Sequence, residues 1–131
     1  MKRYNANGNI DRIVKVAKDY SKQNSHEYIT VEHLLFALLN EKNLYNLFDR
    51  TGIQIDIMIE ELDLYVLTHG VKTKDTDEYN PKKTHSLERV FNRAFTQVLF
   101  SGRQTISVMD LLLSILNEAH GHASYIMRKY G

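Results

Sequence analysis

The sequence has no cysteine, a single proline and six glycines among its 131 residues. Without cysteine it cannot form disulfide bonds, supply a thiol nucleophile or bind zinc through thiolates. So few prolines and glycines cannot punctuate many short strands, which favours a mostly helical chain. The sequence also lacks an apolar run of the roughly 18 residues that span a membrane, and it lacks the apolar core of a signal peptide. We therefore expect a cytoplasmic protein with no membrane partner.

An excess of one charge sign is also missing. The chain has 17 Lys and Arg against 16 Asp and Glu, which gives a formal net charge of +1. Nucleic-acid-binding domains usually carry a clear basic excess, so this balance argues against nucleic acid as a partner. Hydrophobic residues make up 43% and charged residues 25% of the chain, which is typical of a soluble globular protein with a packed core.

Apolar residues recur at the i, i+3, i+4, i+7 spacing of a buried helix face throughout the chain. The spacing predicts helices around residues 10–20, 31–39, 44–48, 55–66, 87–98, 111–116 and 123–127. Thr30 and Ser107 fit N-cap positions, Ser107 with Asp110 as a shortened capping box, and Ser86 is interpreted as a further cap. Residues 68–86 contain the only proline and follow no period, so we interpret them as a linker.

The chain contains an internal repeat. A shift of 77 residues places residues 10–41 over 87–118 without a gap and gives nine identical positions, among them Arg12/Arg89, Leu35/Leu112 and Glu41/Glu118. The repeat predicts a single all-α domain over residues 1–131, in which two four-helix repeats are related by pseudo-two-fold symmetry. Repeat one covers about 8–67 and repeat two about 87–131. The last helix of repeat two is missing, which we expect to expose the apolar face around Leu116, Ile126 and Met127.

The segment from His26 to Leu39, HEYITVEHLLFALL, resembles the signature T-x-E-H-[IL]-L-x-[AG]-L of the Clp N-terminal repeat domain. The second repeat of that family is matched by LERVFNRA at 87–94, by SGR at 101–103 and by YIMRK at 125–129. The resemblance covers about residues 8–131 and is closest to the ClpA-type domain. It implies an all-α, pseudo-two-fold domain at the N-terminus of an ATP-dependent unfoldase, where it docks adaptor proteins and substrates.

The resemblance implies a non-catalytic docking domain without a cofactor. Its partners would be a ClpS-like adaptor, protein substrates and, if the chain is part of a longer protein, the parent Clp ATPase and its peptidase. Glu27, Glu32 and Thr84 match the ClpA-type residues that contact the adaptor. Met109 stands where ClpC-type relatives have their second phosphoarginine-binding glutamate. The chain contains no G-x-x-x-x-G-K-[ST] motif, so it does not hydrolyse ATP in the manner of the parent unfoldase.

Other interpretations remain open at this point. A free-standing homologue could sequester the adaptor or regulate the host protease. Glu32 could simply complement the dipole of its own helix, with Glu27 solvated. A metal-dependent hydrolase would need ligands such as His26, His33 or His120, but Thr30 occupies the second histidine position of H-E-x-x-H. We therefore expect no metal site and no catalytic residues, and we interpret His33 as a structural histidine at the helix start.

Overall fold

A computed structural model describes residues 8–74, 79–118 and 120–131. The described residues form seven α-helices, four in repeat one and three in repeat two: α1 (Gly8–Gln23), α2 (Val31–Leu39), α3 (Lys42–Arg50), α4 (Ile55–His69), α5 (His85–Phe100), α6 (Val108–Leu116) and α7 (His122–Tyr130). The all-α prediction is confirmed. None of the helices in this part of the chain is both long and apolar enough to cross a membrane.

The duplication is visible in the helix bounds. The bounds of α1 and α5 differ by 77 residues, and so do those of α2 and α6, whereas α3 and α7 are offset by 80. Helices α2 and α6 both begin with a capping box, in which the hydroxyl of Thr30 or Ser107 accepts the backbone N–H of His33 or Asp110. The interpretation of Ser86 as a cap is wrong, because the α5 cap lies two residues earlier, at Thr84.

The two repeats share one hydrophobic core. Helix α2 packs against α1, α3 and α4 of its own repeat and against α5, α6 and α7 of the other repeat. The most deeply buried side chains come mainly from the two central helices: Leu34, Leu35, Leu38 and Leu39 of α2, and Leu111, Leu112 and Ile115 of α6. Because these apolar faces complete each other, neither repeat buries its core alone.

The predicted linker is held against the connection between α1 and α2 of repeat one. Two short strands, β1 (Tyr28–Ile29) and β2 (Lys82–Lys83), pair in parallel, and an isolated bridge joins His26 to Lys72. We call residues 70–84 the linker segment; residues 75–78 within it lie outside the described part of the chain. Two-residue strands carry no alternating pattern that a sequence could reveal.

An apolar groove lies between α3 and α4 of repeat one and α6 and α7 of repeat two. It has a volume of about 470 Å³, and its walls include Phe48, Met58, Met109, Leu113, Leu116 and Met127. The apolar face expected to be exposed around Leu116, Ile126 and Met127 is open only in part: Leu116 and Met127 line this groove, Met127 with 7% exposure, whereas Ile126 is completely buried. The most exposed apolar side chains on the groove wall are Met109 at 47% and Leu113 at 55%, both on α6.

Candidate functional site

A polar pocket of about 500 Å³ lies where the two repeats meet. The starts of α2, α5 and α7 and the end of α6 surround it, and we call it the inter-repeat pocket. Its walls include Glu32, Thr84, Arg89, Arg93, Glu118 and His122. Two of the three predicted adaptor-binding residues, Glu32 and Thr84, therefore lie together in one cavity.

Glu32 links the two repeats. Its side chain is half-buried, and its Oε2 atom accepts the backbone N–H of Ala123 at 2.9 Å. Ala123 lies in the first turn of α7, whose own cap residue, Gly121, supplies no side-chain acceptor. The carboxylate thus stabilises the positive end of a helix from the other repeat, in addition to lying in the first turn of α2.

In repeat one, the helix that corresponds to α7 is α3, and a residue of the same repeat caps it. There Glu41 directly precedes α3, and its side chain accepts the backbone N–H groups of Asn43 and Leu44. Its counterpart Glu118 lies four residues before α7 begins and binds arginines instead. The longer connection in repeat two separates Glu118 from the start of α7. Glu32, which belongs to repeat one, accepts the N–H at that helix start instead.

Thr84 is both a cap and a wall of the pocket. Its hydroxyl accepts the backbone N–H of Leu87 at 3.1 Å, and its own N–H donates to the carbonyl of Ile29 at 3.1 Å. The first bond begins α5 and the second fixes that start beside β1. The position of the Thr84 side chain is therefore determined by backbone contacts on both sides.

Glu27 does not line the inter-repeat pocket. Its backbone N–H donates to the carbonyl of Val71 at 2.7 Å, and its carbonyl accepts the N–H of Lys82 at 3.0 Å. The side chain is half-buried beside these strand contacts. The structure thus places Glu27 next to the linker segment, while Glu32 and Thr84 lie in the pocket.

An ion cluster in the pocket was missed by sequence reasoning. Arg89 donates to Glu118 from Nη2 at 2.8 Å and from Nε at 3.2 Å, and Arg93 donates to the same carboxylate at 2.5 Å. The hydrogen bond from Arg89 lowers the pKa of Glu118, and Arg93 adds to this effect against the opposing effect of burial. The only sequence signal was a difference between the repeats, since Val16 occupies the position of Arg93 in repeat one.

The cluster gives the pocket charges of both signs. The Arg93 side chain is 29% exposed, whereas the Arg89 side chain is 55% exposed and is the more accessible cation. Opposite them, the ring of Tyr65 stacks on His122 with centroids 3.7 Å apart. Such a surface can exchange charge-assisted hydrogen bonds with a polar partner and offer an aromatic face.

The histidines form no metal site in the described part of the chain. No group of three His, Cys, Asp or Glu side chains there could hold a metal ion. His120 and His122 line the pocket, but His26 and His33 are both 1% exposed in the interior. His33 belongs to the α2 capping box, as expected of a structural histidine: its Nδ1 accepts the N–H of Thr30 at 2.9 Å.

Comparison with known proteins now identifies the family. The family model described as Clp repeat (R) N-terminal domain matches residues 7–130. The chain belongs to this family.

Individual relatives of this Clp N-terminal domain are distant. A ClpA homolog protein of Fuscovulum blasticum is 24% identical over 123 residues, which cover 92% of this chain and 15% of that protein. The chain thus spans only a small part of this curated relative's length. The Hsp104 N-terminal domain from Candida albicans superposes with a TM-score of 0.81 at 16% identity, over 97% of this chain and 82% of that one. The N-terminal domain of the ClpV1 ATPase from the E. coli EAEC Sci1 type VI secretion system superposes with a TM-score of 0.74 at 23% identity, over 88% of this chain and 69% of that one.

Proposed function

We propose that this Clp N-terminal domain docks a ClpS-like adaptor and protein substrates for a Clp-type ATP-dependent unfoldase and protease. The observation that carries the proposal is the placement of Glu32 and Thr84 in one mixed-charge pocket at the junction of the repeats. The proposal includes a cytoplasmic location and, where the chain is part of a longer protein, a parent ATPase and its peptidase.

Adaptor docking at the pocket is supported by its chemistry. The second carboxylate oxygen of Glu32 can accept hydrogen bonds from an adaptor lysine or backbone amide while Oε2 keeps its bond to Ala123. Glu27 extends the contact surface along the first strand. The rigid starts of α2 and α5 hold Glu32 and Thr84 in position, so little ordering entropy is lost when the adaptor binds.

Substrate docking uses a second surface in this proposal. The apolar groove between α3, α4, α6 and α7 has the exposed side chains Met109 and Leu113 on its wall. Flexible methionine and leucine side chains adapt to apolar segments of many shapes, which suits a domain that receives diverse substrates.

The test is isothermal titration calorimetry of the domain with a purified ClpS-like adaptor encoded in the same genome. The variant Glu32→Gln keeps an oxygen that can accept the Ala123 N–H but removes the charge. We expect its affinity to fall about tenfold or more, since hydrogen bonds to charged groups contribute roughly 1.5–3 kcal/mol. Glu60→Gln, at an exposed position of α4, is the matched control and should bind like the parent chain.

Two results would contradict the proposal in different ways. Equal affinity of the parent chain and the Glu32→Gln variant would disprove the pocket as the adaptor site. No measurable binding by the parent chain would disprove the adaptor itself as the partner. Circular dichroism of each variant shows whether the fold has been kept.

A further inference from the structure

Two buried imidazoles contact each other beneath the linker segment. The Nδ1 atom of His26 lies 2.9 Å from the Nε2 atom of His33, with the ring planes at 70°. Both residues are 1% exposed. A hydrogen bond between two imidazoles needs one donor and one acceptor nitrogen, so the proton positions must be consistent along the pair.

The hydrogen bonds determine which nitrogen atoms carry protons. The backbone N–H of Thr30 donates to His33 Nδ1 at 2.9 Å, and the Thr30 hydroxyl oxygen lies 2.7 Å from the same atom, within reach to donate as well, so this nitrogen is an acceptor. His33 therefore carries its proton on Nε2 and donates it to His26 Nδ1. His26 in turn carries its proton on Nε2, a buried atom that has no hydrogen-bond partner among the described residues. Both rings are neutral, and both acceptor nitrogens are already in use.

The linker segment covers this pair. Gly70 lies so close to the His26 ring that a Cβ atom there would be 2.2 Å from Nε2. Beyond Gly70, hydrogen bonds fasten the segment to residues 25–29. Before the undescribed residues, Glu27 N donates to Val71 O at 2.7 Å and Thr73 N donates to Ser25 O at 2.8 Å. After them, the Tyr79 hydroxyl donates to His26 O at 2.8 Å, Lys82 N donates to Glu27 O, and Thr84 N donates to Ile29 O.

The charged and titratable groups around the pair do not compensate a positive charge. Lys72 of the linker segment is a cation next to His26, and its Nζ donates to Asn24 O. From α1, Tyr20 meets the His33 ring edge-on at 5.5 Å, and its hydroxyl donates to Asp63 of α4. From α2 and α4, Glu32, Tyr65 and His69 line a small cavity together with His33. Within the described chain, no carboxylate forms an ion pair with either imidazole.

We propose that the His26–His33 pair is an acid-sensitive latch, which fastens the linker segment while both rings are neutral and releases it when a proton enters. The proton, taken from solvent, binds the lone pair of His26 Nδ1, and the hydrogen bond from His33 Nε2 to that atom breaks. The resulting cation is buried without a counter-ion. Release of residues 70–74 and 79–84 hydrates it, because Val71, next to Gly70, is 54% exposed at the surface.

The pH direction follows from the same contacts. Burial and the neighbouring Lys72 lower the pKa of His26, and burial together with His26 lowers that of His33 to about 4. A depressed histidine pKa means that the released form binds more protons than the closed form. The latch is therefore fully stable above the ordinary histidine pKa of about 6.5 and weakens as the pH falls from there toward about 4.

The experiment is amide hydrogen exchange followed by NMR between pH 7.5 and 4.5, with each rate corrected for its intrinsic pH dependence. We expect the protection of the Glu27, Thr73, Lys82 and Thr84 amides to fall about tenfold or more, since each unit of depressed pKa is a factor of about ten in the opening constant. Amides in the middle of α2 and α6 should keep their protection. Equal loss at both places, or no loss at the linker contacts, would overturn the latch.

A variant and a direct measurement complete the test. His26→Gln keeps an acceptor for His33 Nε2–H but cannot take up a proton, so its linker contacts should lose less protection in acid. His85→Gln, whose parent side chain is fully exposed on α5, is the matched control and should behave like the parent chain. If His26→Gln does not fold, imidazole nitrogen shifts of the parent chain still decide, because a proton on Nδ1 of His33 at pH 7.5 would contradict the latch. This proposal is independent of adaptor binding.

Discussion

At the scale of single residues, Gly70 shows how closely the chain packs where α4 ends. It has no side chain, and its place against the His26 ring permits none, since the nearest ring atoms would lie 2.2–2.6 Å from a Cβ. Its φ of −64° is ordinary, so the need for glycine here is one of space and not of backbone conformation.

We expect Gly70→Ala to destabilise the protein by about 1–3 kcal/mol, the usual cost of an overpacked site, because either His26 or the linker segment must move. Chemical denaturation measured by circular dichroism would show this. Gly121→Ala is the control: its Cβ would meet its nearest neighbour at 3.6 Å and its φ is −82°, so it meets no steric clash and should cost less than Gly70→Ala, at most the roughly 1 kcal/mol by which alanine is a poorer N-cap. Equal stability of the Gly70→Ala variant and the parent chain would contradict the close packing.

At the scale of elements, the helices follow from the sequence because each carries an apolar face at the helical spacing and several have recognisable caps. Thr30 and Ser107 cap α2 and α6 as predicted. The start of α5 was predicted less well, since Thr84 and Ser86 are equally good caps by residue type and only the structure shows which one accepts a backbone N–H. The two strands could not be predicted, because their pairing is between residues far apart in the chain.

The two serines provide a matched pair for measuring a cap. Ser107→Ala removes the acceptor of the Asp110 N–H and should cost about 1 kcal/mol in urea denaturation. Ser86→Ala removes only an exposed contact with Arg89 and should have almost no effect. A larger loss for Ser86→Ala than for Ser107→Ala would contradict the assignment of Thr84 as the α5 cap.

At the scale of the whole molecule, the shared core means that the repeats are not separate folding units. Leu112 of α6 is 2% exposed, and its counterpart Leu35 of α2 is completely buried in the same core. Helix α2 contacts α5, α6 and α7 directly, so a defect in repeat two reaches the centre of repeat one.

We therefore expect Leu112→Ala to lower the free energy of unfolding by about 2–5 kcal/mol and to lower the exchange protection of α2 and α6 by the same factor. Native-state hydrogen exchange measures both helices in one experiment. Leu64→Ala, at a 67% exposed position of α4, should leave both unchanged. Loss of protection in α5, α6 and α7 alone would show that the repeats unfold independently.

The candidate site could be predicted only where it coincides with a motif. Glu32 and Thr84 come from the resemblance to the family, and they do meet in one pocket. Arg93 and Glu118 could not be found in this way, because their interaction depends on how α5 and α6 face each other and not on a pattern along the chain. Glu27 matches the family by sequence yet lies outside the pocket, since its segment forms a strand with the linker.

The exchange of caps between the repeats has a consequence for protein design and for the history of the duplication. A symmetric protein made of two copies of repeat two would lose the Glu32 cap of α7, because Met109 occupies that position. Two copies of repeat one would lose one of the two arginines of the ion cluster, because Val16 occupies the place of Arg93, whereas Arg12 keeps the place of Arg89. The dependence is therefore one-sided: a copy of repeat two cannot take the place of repeat one without repairing the start of α7, whereas repeat one caps its own third helix through Glu41.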